Sequence, residues 1–95
     1  MQQGFNVDFA TKFGLKEAIV FEIIKWYIYV KSYGEPTCIP LKLILKRAPY
    51  LSKGTLKRVI VNLERENLIY KRKGYDDLLG LGNIYEITEY GKRFA

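Results

Sequence analysis

The chain has no histidine and only one cysteine among its 95 residues. Without a second cysteine, Cys38 cannot form an intrachain disulfide, so a fold held together by disulfides is excluded. Zinc sites are built from several Cys and His ligands, so neither a metal site nor another cofactor is expected. The neighbours Thr37 and Ile39 predict a buried rather than a reactive thiol.

Signatures of enzymatic chemistry are also missing. There is no nucleophile with a partner base and no Gly-Lys-Ser/Thr loop that could cradle a phosphate. The acidic pair Asp76-Asp77 falls in a predicted loop, which is a poor platform for positioned chemistry. The Gly80-x-Gly82 pair precedes no helix and indicates a turn. We therefore expect a protein that is not an enzyme.

No segment is typical of secretion or membrane insertion. The N-terminus lacks a basic stretch followed by an apolar one, so no signal peptide is expected. The longest apolar tract, residues 18–30, is interrupted by Glu22 and Lys25 and is too short to span a bilayer. These features predict an intracellular, cytoplasmic protein without membrane contact.

Positive charge is concentrated in one third of the chain. Residues 42–73 carry ten Lys and Arg against Glu64 and Glu66, a net charge of +8, whereas the whole chain carries +6. Such a focus is typical of proteins that bind polyanions such as nucleic acid. On charge alone, a solvated lysine-rich face remains the alternative.

Residues 14–32 have apolar side chains at helical spacing on nearly all sides, which predicts a long helix covered from more than one direction. A homodimer through the 15–32 helix would supply that cover. The alternative is that residues 1–13, which predict a loose arm or short turn, fold back over it. Several aromatic residues are expected in the core or this interface rather than in a ligand cage, so a small-molecule effector is not expected: Trp26, Tyr27, Tyr29 and Tyr33.

Two further helices follow with a short turn between them. Pro40 suits the first turn of a helix that runs to about Ala48. Ser52 is a good N-cap for the next helix, which runs to about Asn67. The turn at residues 49–51 has helix-turn-helix length. The last helix places its apolar residues at i, i+3, i+4 and i+7, which predicts a buried face: Leu56, Val59, Ile60 and Leu63.

The rest of the chain predicts extended structure. Residues 37–39 form a brief extended segment, and residues 68–73 and 84–88 predict strands that pair as a hairpin. Between them lies a long Gly-rich loop, Gly74 to Asn83. The sequence therefore predicts one domain over residues 1–95, α+β but mainly α, with three helices and a C-terminal β-hairpin.

Two stretches resemble known DNA-binding regulators. The run from Leu51 to Ile69 resembles the recognition helix of winged-helix proteins, with Ser52, Thr55 and the Leu63-Glu64 pair at matching positions. The run Tyr85-Glu86-Ile87-Thr88-Glu89-Tyr90-Gly91-Lys92 resembles the segment that closes the wing in MarR and PadR regulators. The resemblance implies a winged helix-turn-helix fold that binds double-stranded DNA, with the 52–67 helix in the major groove of a homodimer's site.

Residues 13–20 resemble the opening of winged-helix modules in phage and plasmid replication initiators. This leaves three functions open: a transcription regulator, which we favour, the DNA-binding module of a viral or plasmid replication initiator, and a winged-helix protein-interaction module. The charge distribution favours the first two over the third.

The sequence departs from these families at two places. Asn67 stands where they have Gly, and Asn also tolerates the left-handed conformation. The predicted wing tip carries Asp76 and Asp77, which phosphate would repel, so the tip is not expected to touch DNA directly. Its apolar residues are expected to pack on the body of the domain or on a partner: Leu78, Leu79 and Leu81.

With its apolar face inward, the 52–67 helix presents a cationic outer face. Lys57 and Arg58 are expected to reach guanine or phosphate, and Gly54 to let the backbone approach DNA. Ser52 and Thr55 are expected to donate to phosphate, although either could be only a helix-start residue. The remaining candidates are Lys53 on the same helix, Arg72 and Lys73 at the base of the wing, and the phosphate contacts Lys42, Lys46, Arg47 and Arg65.

Overall fold

The computed structural model describes residues 7–76 and 80–94, which form an α+β domain that is mainly helical. Its helices and strands follow in this order: α1 (Val7–Phe13), α2 (Leu15–Trp26), β1 (Thr37–Ile39), α3 (Leu41–Arg47), α4 (Lys53–Arg65), β2 (Ile69–Asp76) and β3 (Gly80–Ile87). A π-helical turn, Tyr27–Lys31, extends α2, and a 3-10 turn, Gly91–Phe94, follows β3.

The helix predicted over residues 14–32 is confirmed as α2 and its π-helical extension, and the chain itself covers part of it. Residues 7–13 form α1, so the predicted loose arm is wrong for these residues. The Phe9 ring stacks on Phe21 of α2 with 4.8 Å between centroids, and Phe94 meets Phe9 edge-on at 5.4 Å. The alternative in which the N-terminal residues fold back over the helix is thus observed for residues 7–13.

The helix pair in the basic region follows the sequence prediction. Residue Pro40 precedes α3, and the Ser52 hydroxyl accepts a hydrogen bond of 3.1 Å from the Thr55 N–H at the start of α4. The predicted inner face of α4 is buried. Asn67 adopts the predicted left-handed conformation, with φ of 61°. The Leu68 N–H then donates to the Leu63 carbonyl at 3.0 Å, which closes the helix in a Schellman motif.

The three strands form one antiparallel sheet in the order β1-β3-β2. The predicted hairpin is confirmed, but its strands are longer than expected, because Gly74 and Gly82 face each other within the ladder. The predicted loop from Gly74 to Asn83 is therefore wrong at both ends. The physical reason is packing: a side chain at Gly74 would collide with that of Ile84, so glycine here lets the strands continue.

Each helix and strand contributes to a single hydrophobic core that includes Phe9, Ile39, Ile44 and Leu56. The core lies between the helices and one face of the sheet, and the buried face of α4 packs against it. Within residues 7–76 and 80–94, no helix is both long enough and apolar enough to cross a membrane.

Candidate nucleic-acid interface

The outward side of α4 is exposed, as predicted. Because successive residues turn by about 100° in an α-helix, four residues point directly away from the buried face. We call these the outer row: Gly54, Arg58, Val61 and Arg65, all exposed. The exposed Lys57 lies on the flank of the helix shared by Glu64, whose carboxylate is 3.3 Å from the Lys71 ammonium on β2. The outer row is thus open to solvent and bordered by cations on the side of the hairpin.

A second property of α4 is the state of the two cations at its middle. Among the described side chains, neither Lys57 nor Arg58 has an acidic partner, whereas Lys71 is paired with Glu64. Their stems start from a helix whose opposite face is held by buried Leu56, Val59, Ile60 and Leu63. The two positive charges therefore face solvent on a helix that is anchored in the core.

The first turn of α4 uses its hydroxyls internally. Ser52 Oγ accepts from the Thr55 N–H and donates to Thr55 Oγ1 at 2.8 Å, so its observed role is that of a helix cap. Thr55 is half-buried. Next to them, Gly54 borders open space: apart from its chain neighbours and the backbone of its own helix, no described atom lies within 4 Å of the position of a Cβ. Packing against the described residues therefore does not require glycine at this position.

A groove of about 530 Å³ runs between the start of α3, the start of α4 and the hairpin. Three lysines line it, Lys42, Lys53 and Lys73, and most of its lining surface is apolar. We call it the lysine groove. The three lysines come from different elements and are far apart in sequence, so the structure brings together residues that the sequence analysis proposed separately. The apolar residues that line the groove include Pro40, Leu41, Leu45 and Leu81.

Arg72 and Lys73 do not act on the same side of the hairpin. Successive side chains of a strand point to opposite faces, and Lys73 lines the lysine groove while Arg72 lines a small pocket of about 140 Å³. That pocket also contains Tyr70 and Glu86. The two residues were expected to lie together at the base of the hairpin, but their side chains point to opposite faces of it.

Two of the other arginine candidates are engaged by the protein. The guanidinium carbon of Arg47 lies 3.7 Å from the centroid of the Trp26 ring, which joins α3 to α2. Arg65 Nη2 donates to Asn62 Oδ1 at 2.9 Å, and Asn62 Nδ2 donates to Glu17 Oε2 at 2.9 Å. Trp26 is remote in sequence from Arg47, so this contact could not be predicted from the sequence. Asn62 is only three residues from Arg65, but it is held in turn by the remote Glu17. The Lys46 side chain is exposed.

The expectations for the hairpin tip are resolved only in part. Asp77, Leu78 and Leu79 lie outside the described residues. Leu81 is 82% exposed, so the expected packing of this residue on the body of the domain is wrong. Cys38, expected to be buried, is half-buried.

The stretch from Tyr85 to Lys92, singled out in the sequence, has a structural role. The Thr88 hydroxyl donates to the Asn67 carbonyl and accepts from the Gly91 N–H at 2.8 Å. A side chain at Gly91 would collide with the carbonyl oxygen of Leu68. Burial raises the pKa of Tyr85 above its ordinary value of 10.0. This segment therefore closes the sheet against the end of α4.

No protein-family model, curated protein or solved structure matches the chain.

Proposed function

We propose that this protein is a winged-helix transcription regulator that binds double-stranded DNA sequence-specifically. In this proposal α4 enters the major groove, and the β2–β3 hairpin serves as the wing beside it. Lys57 and Arg58 contact guanine or phosphate, while the lysine groove and Lys46 contact phosphates.

The observation that carries the proposal is the state of α4. It is an amphipathic helix with a buried apolar face and an outer face on which Lys57 and Arg58 are exposed and, among the described side chains, unpaired. A major-groove reader needs both properties, because rigid backing fixes the register and free cations supply the affinity. A merely solvated lysine-rich face needs neither the capped start nor the open position at Gly54.

The arrangement around α4 supports the same function. The element order, with a helix pair followed by a hairpin and a third strand at β1, resembles that of winged-helix domains and supports the proposal. The lysine groove lies between the start of α4 and the hairpin, where a DNA backbone would pass if α4 occupied the major groove. The engaged Arg47 and Arg65 are secondary candidates in this proposal.

The direct test is binding of a labelled duplex, measured by fluorescence anisotropy over a range of salt concentrations. If a dimer neutralises about six to eight phosphates, log affinity falls against log salt with a slope of roughly −6. The variant Lys57→Ala should weaken binding and flatten this slope. Lys92→Ala is the matched control, because it removes an equal charge from an exposed position outside α4, the lysine groove and the 15–32 helix, and it should leave affinity and slope unchanged. Absence of duplex binding in dilute buffer contradicts the proposal.

The homodimer through the 15–32 helix is a separate proposal. Since α1 already covers part of this helix, it depends on the apolar side chains that stay exposed there: Leu15 at 54%, Tyr29 at 39% and Val30 at 56%. Analytical ultracentrifugation should give a dimer that Val30→Asp dissociates. A monomeric mass at all concentrations contradicts this part alone.

The biological role is tested by selecting bound fragments from genomic DNA. Palindromic sites near promoters, with half-sites about 34 Å apart, support a transcription regulator. Clustered repeats at a replication origin would instead assign the protein to replication initiation.

A further inference from the structure

We infer that Val61 is a specificity-determining residue that reads the 5-methyl group of thymine beside a guanine read by Arg58. This inference rests on the proposed DNA-binding function and deepens it, since it names the chemistry of the preferred half-site.

Val61 is an apolar residue on the exposed side of α4. Its side chain is 46% exposed and lies in the outer row between Arg58 and Arg65, on the side of the helix opposite the core. It therefore adds nothing to the buried face. Valine is also a weaker helix former than alanine or lysine, because its branched side chain loses rotamer freedom in a helix. The methyl groups of Val61 therefore face solvent in the domain and are open to contact by a ligand.

The spacing of the outer row matches that of stacked bases. Arg58 and Val61 are three residues apart, which places them about 4.5 Å apart along the helix axis on one face. Successive bases of a strand are about 3.4 Å apart. A helix in the major groove would therefore present the two side chains to base pairs that are adjacent or separated by one. Gly54, with open space in place of a side chain, allows the first turn to approach closely enough.

The chemistry of the two side chains differs in a way that defines a code. The guanidinium of Arg58 matches the O6 and N7 acceptors of guanine, whereas the methyls of Val61 offer no hydrogen bond. In the major groove the apolar feature of a base pair is the thymine 5-methyl group. The preferred half-site thus contains a guanine with a thymine within two base pairs.

The test removes that methyl group from the DNA. The full-length protein first selects its preferred duplex from a random library. Each thymine of the half-site is then replaced in turn by 2′-deoxyuridine, which keeps the hydrogen-bonding pattern and lacks only the methyl. Affinities are measured for the wild-type protein, for Val61→Ala, and for the matched control Val7→Ala on exposed α1 surface. Alanine is a good helix former, so Val61→Ala should keep the fold, which circular dichroism checks.

At one position, deoxyuridine should weaken binding by the wild-type protein and by Val7→Ala about fourfold, the effect of losing one buried methyl contact. Val61→Ala should bind the thymine and deoxyuridine duplexes equally. The inference is overturned if no replacement changes the affinity of the wild-type protein, or if Val61→Ala still binds the thymine duplex about fourfold more tightly than the deoxyuridine duplex. It is also overturned if the selected half-site has no guanine with a thymine within two base pairs of it. Failure to select any duplex overturns the proposed function itself.

Discussion

The Thr88 hydroxyl donates a hydrogen bond of 2.6 Å to the main-chain carbonyl of Asn67. This contact joins the left-handed residue that comes just after α4 to the residue that follows β3. The same hydroxyl accepts from the Gly91 N–H, so one side chain connects the helix, the sheet and the 3-10 turn. Thr88 is 2% exposed, and both of its partners would lose their bond with it.

Replacing Thr88 by Val should lower the free energy of unfolding by about 1–3 kcal/mol, because a part-buried carbonyl and a buried N–H lose their partner while the side-chain volume is kept. Urea denaturation measures the change. Thr11→Val is the control, since its hydroxyl bonds to the Val7 carbonyl on the exposed surface of α1, and it should change stability by less than about 0.5 kcal/mol. Equal effects of the two variants would contradict the role given to Thr88.

Gly54→Ala should separate stability from binding. The site has room for a methyl group, and alanine favours the helix over glycine, so the free energy of unfolding should rise by up to about 1 kcal/mol. If the first turn of α4 approaches DNA closely, affinity should fall roughly fivefold or more, as expected when one contact worth about 1 kcal/mol is lost. Thermal unfolding and anisotropy titrations measure the two effects. A more stable variant with unchanged affinity would remove Gly54 from the interface.

Arg58→Ala should cost about 1–3 kcal/mol of binding free energy on the preferred duplex and relax the base preference at one position. Lys46→Ala should instead weaken all sequences alike and reduce the salt slope by about 1, because a phosphate contact carries no sequence information. Each variant is titrated with the preferred duplex and with a scrambled one. Equal losses of Arg58→Ala on both duplexes would show that Arg58 does not read bases.

The stability of the domain should fall in alkaline solution because of Tyr85. Burial raises the pKa of its phenol, the hydrogen bond from Asn83 opposes this, and the Glu64 carboxylate raises it further. A folded-state pKa above the unfolded one favours the neutral phenol in the native state. The contribution is therefore complete below about pH 10 and is lost as pH rises through the folded-state pKa.

Urea denaturation of the wild type and of Tyr85→Phe between pH 8 and about pH 11 tests this contribution. The variant should lose less stability than the wild type over this range, since it has no phenol to ionise. Parallel curves for the two proteins would exclude Tyr85 as the cause.

The sequence predicted features that are encoded locally. The periodic apolar residues of α4, the cap at Ser52 and the left-handed turn at Asn67 are all confirmed. Each depends on residues within one or two turns of the chain, where propensity and capping rules apply directly. The exposed outer face of α4 follows from the same periodicity.

Features that depend on distant partners were not predictable in this way. The helix α1 was not predicted, because its apolar residue Phe9 is held by ring contacts with Phe21 and Phe94, which are distant in sequence. Gly74 has the local character of a loop residue, and its place in a strand depends on the Ile84 side chain of β3, which packs where a Cβ at Gly74 would be. Arg47 looked like a free cation because its partner, Trp26, lies on another helix. In each case the missing information was a tertiary contact, not a local preference.

The contact of Arg47 with Trp26 makes the intrinsic tryptophan fluorescence sensitive to the junction of α2 and α3. Trp26 is the only tryptophan of the chain, so intrinsic emission near its maximum comes from one indole at the α2–α3 junction. This indole lies on α2, apart from the outer row of α4. A spectral change on adding DNA would thus report a shift of α3 against α2, and an unchanged spectrum would indicate that the domain docks as a rigid body.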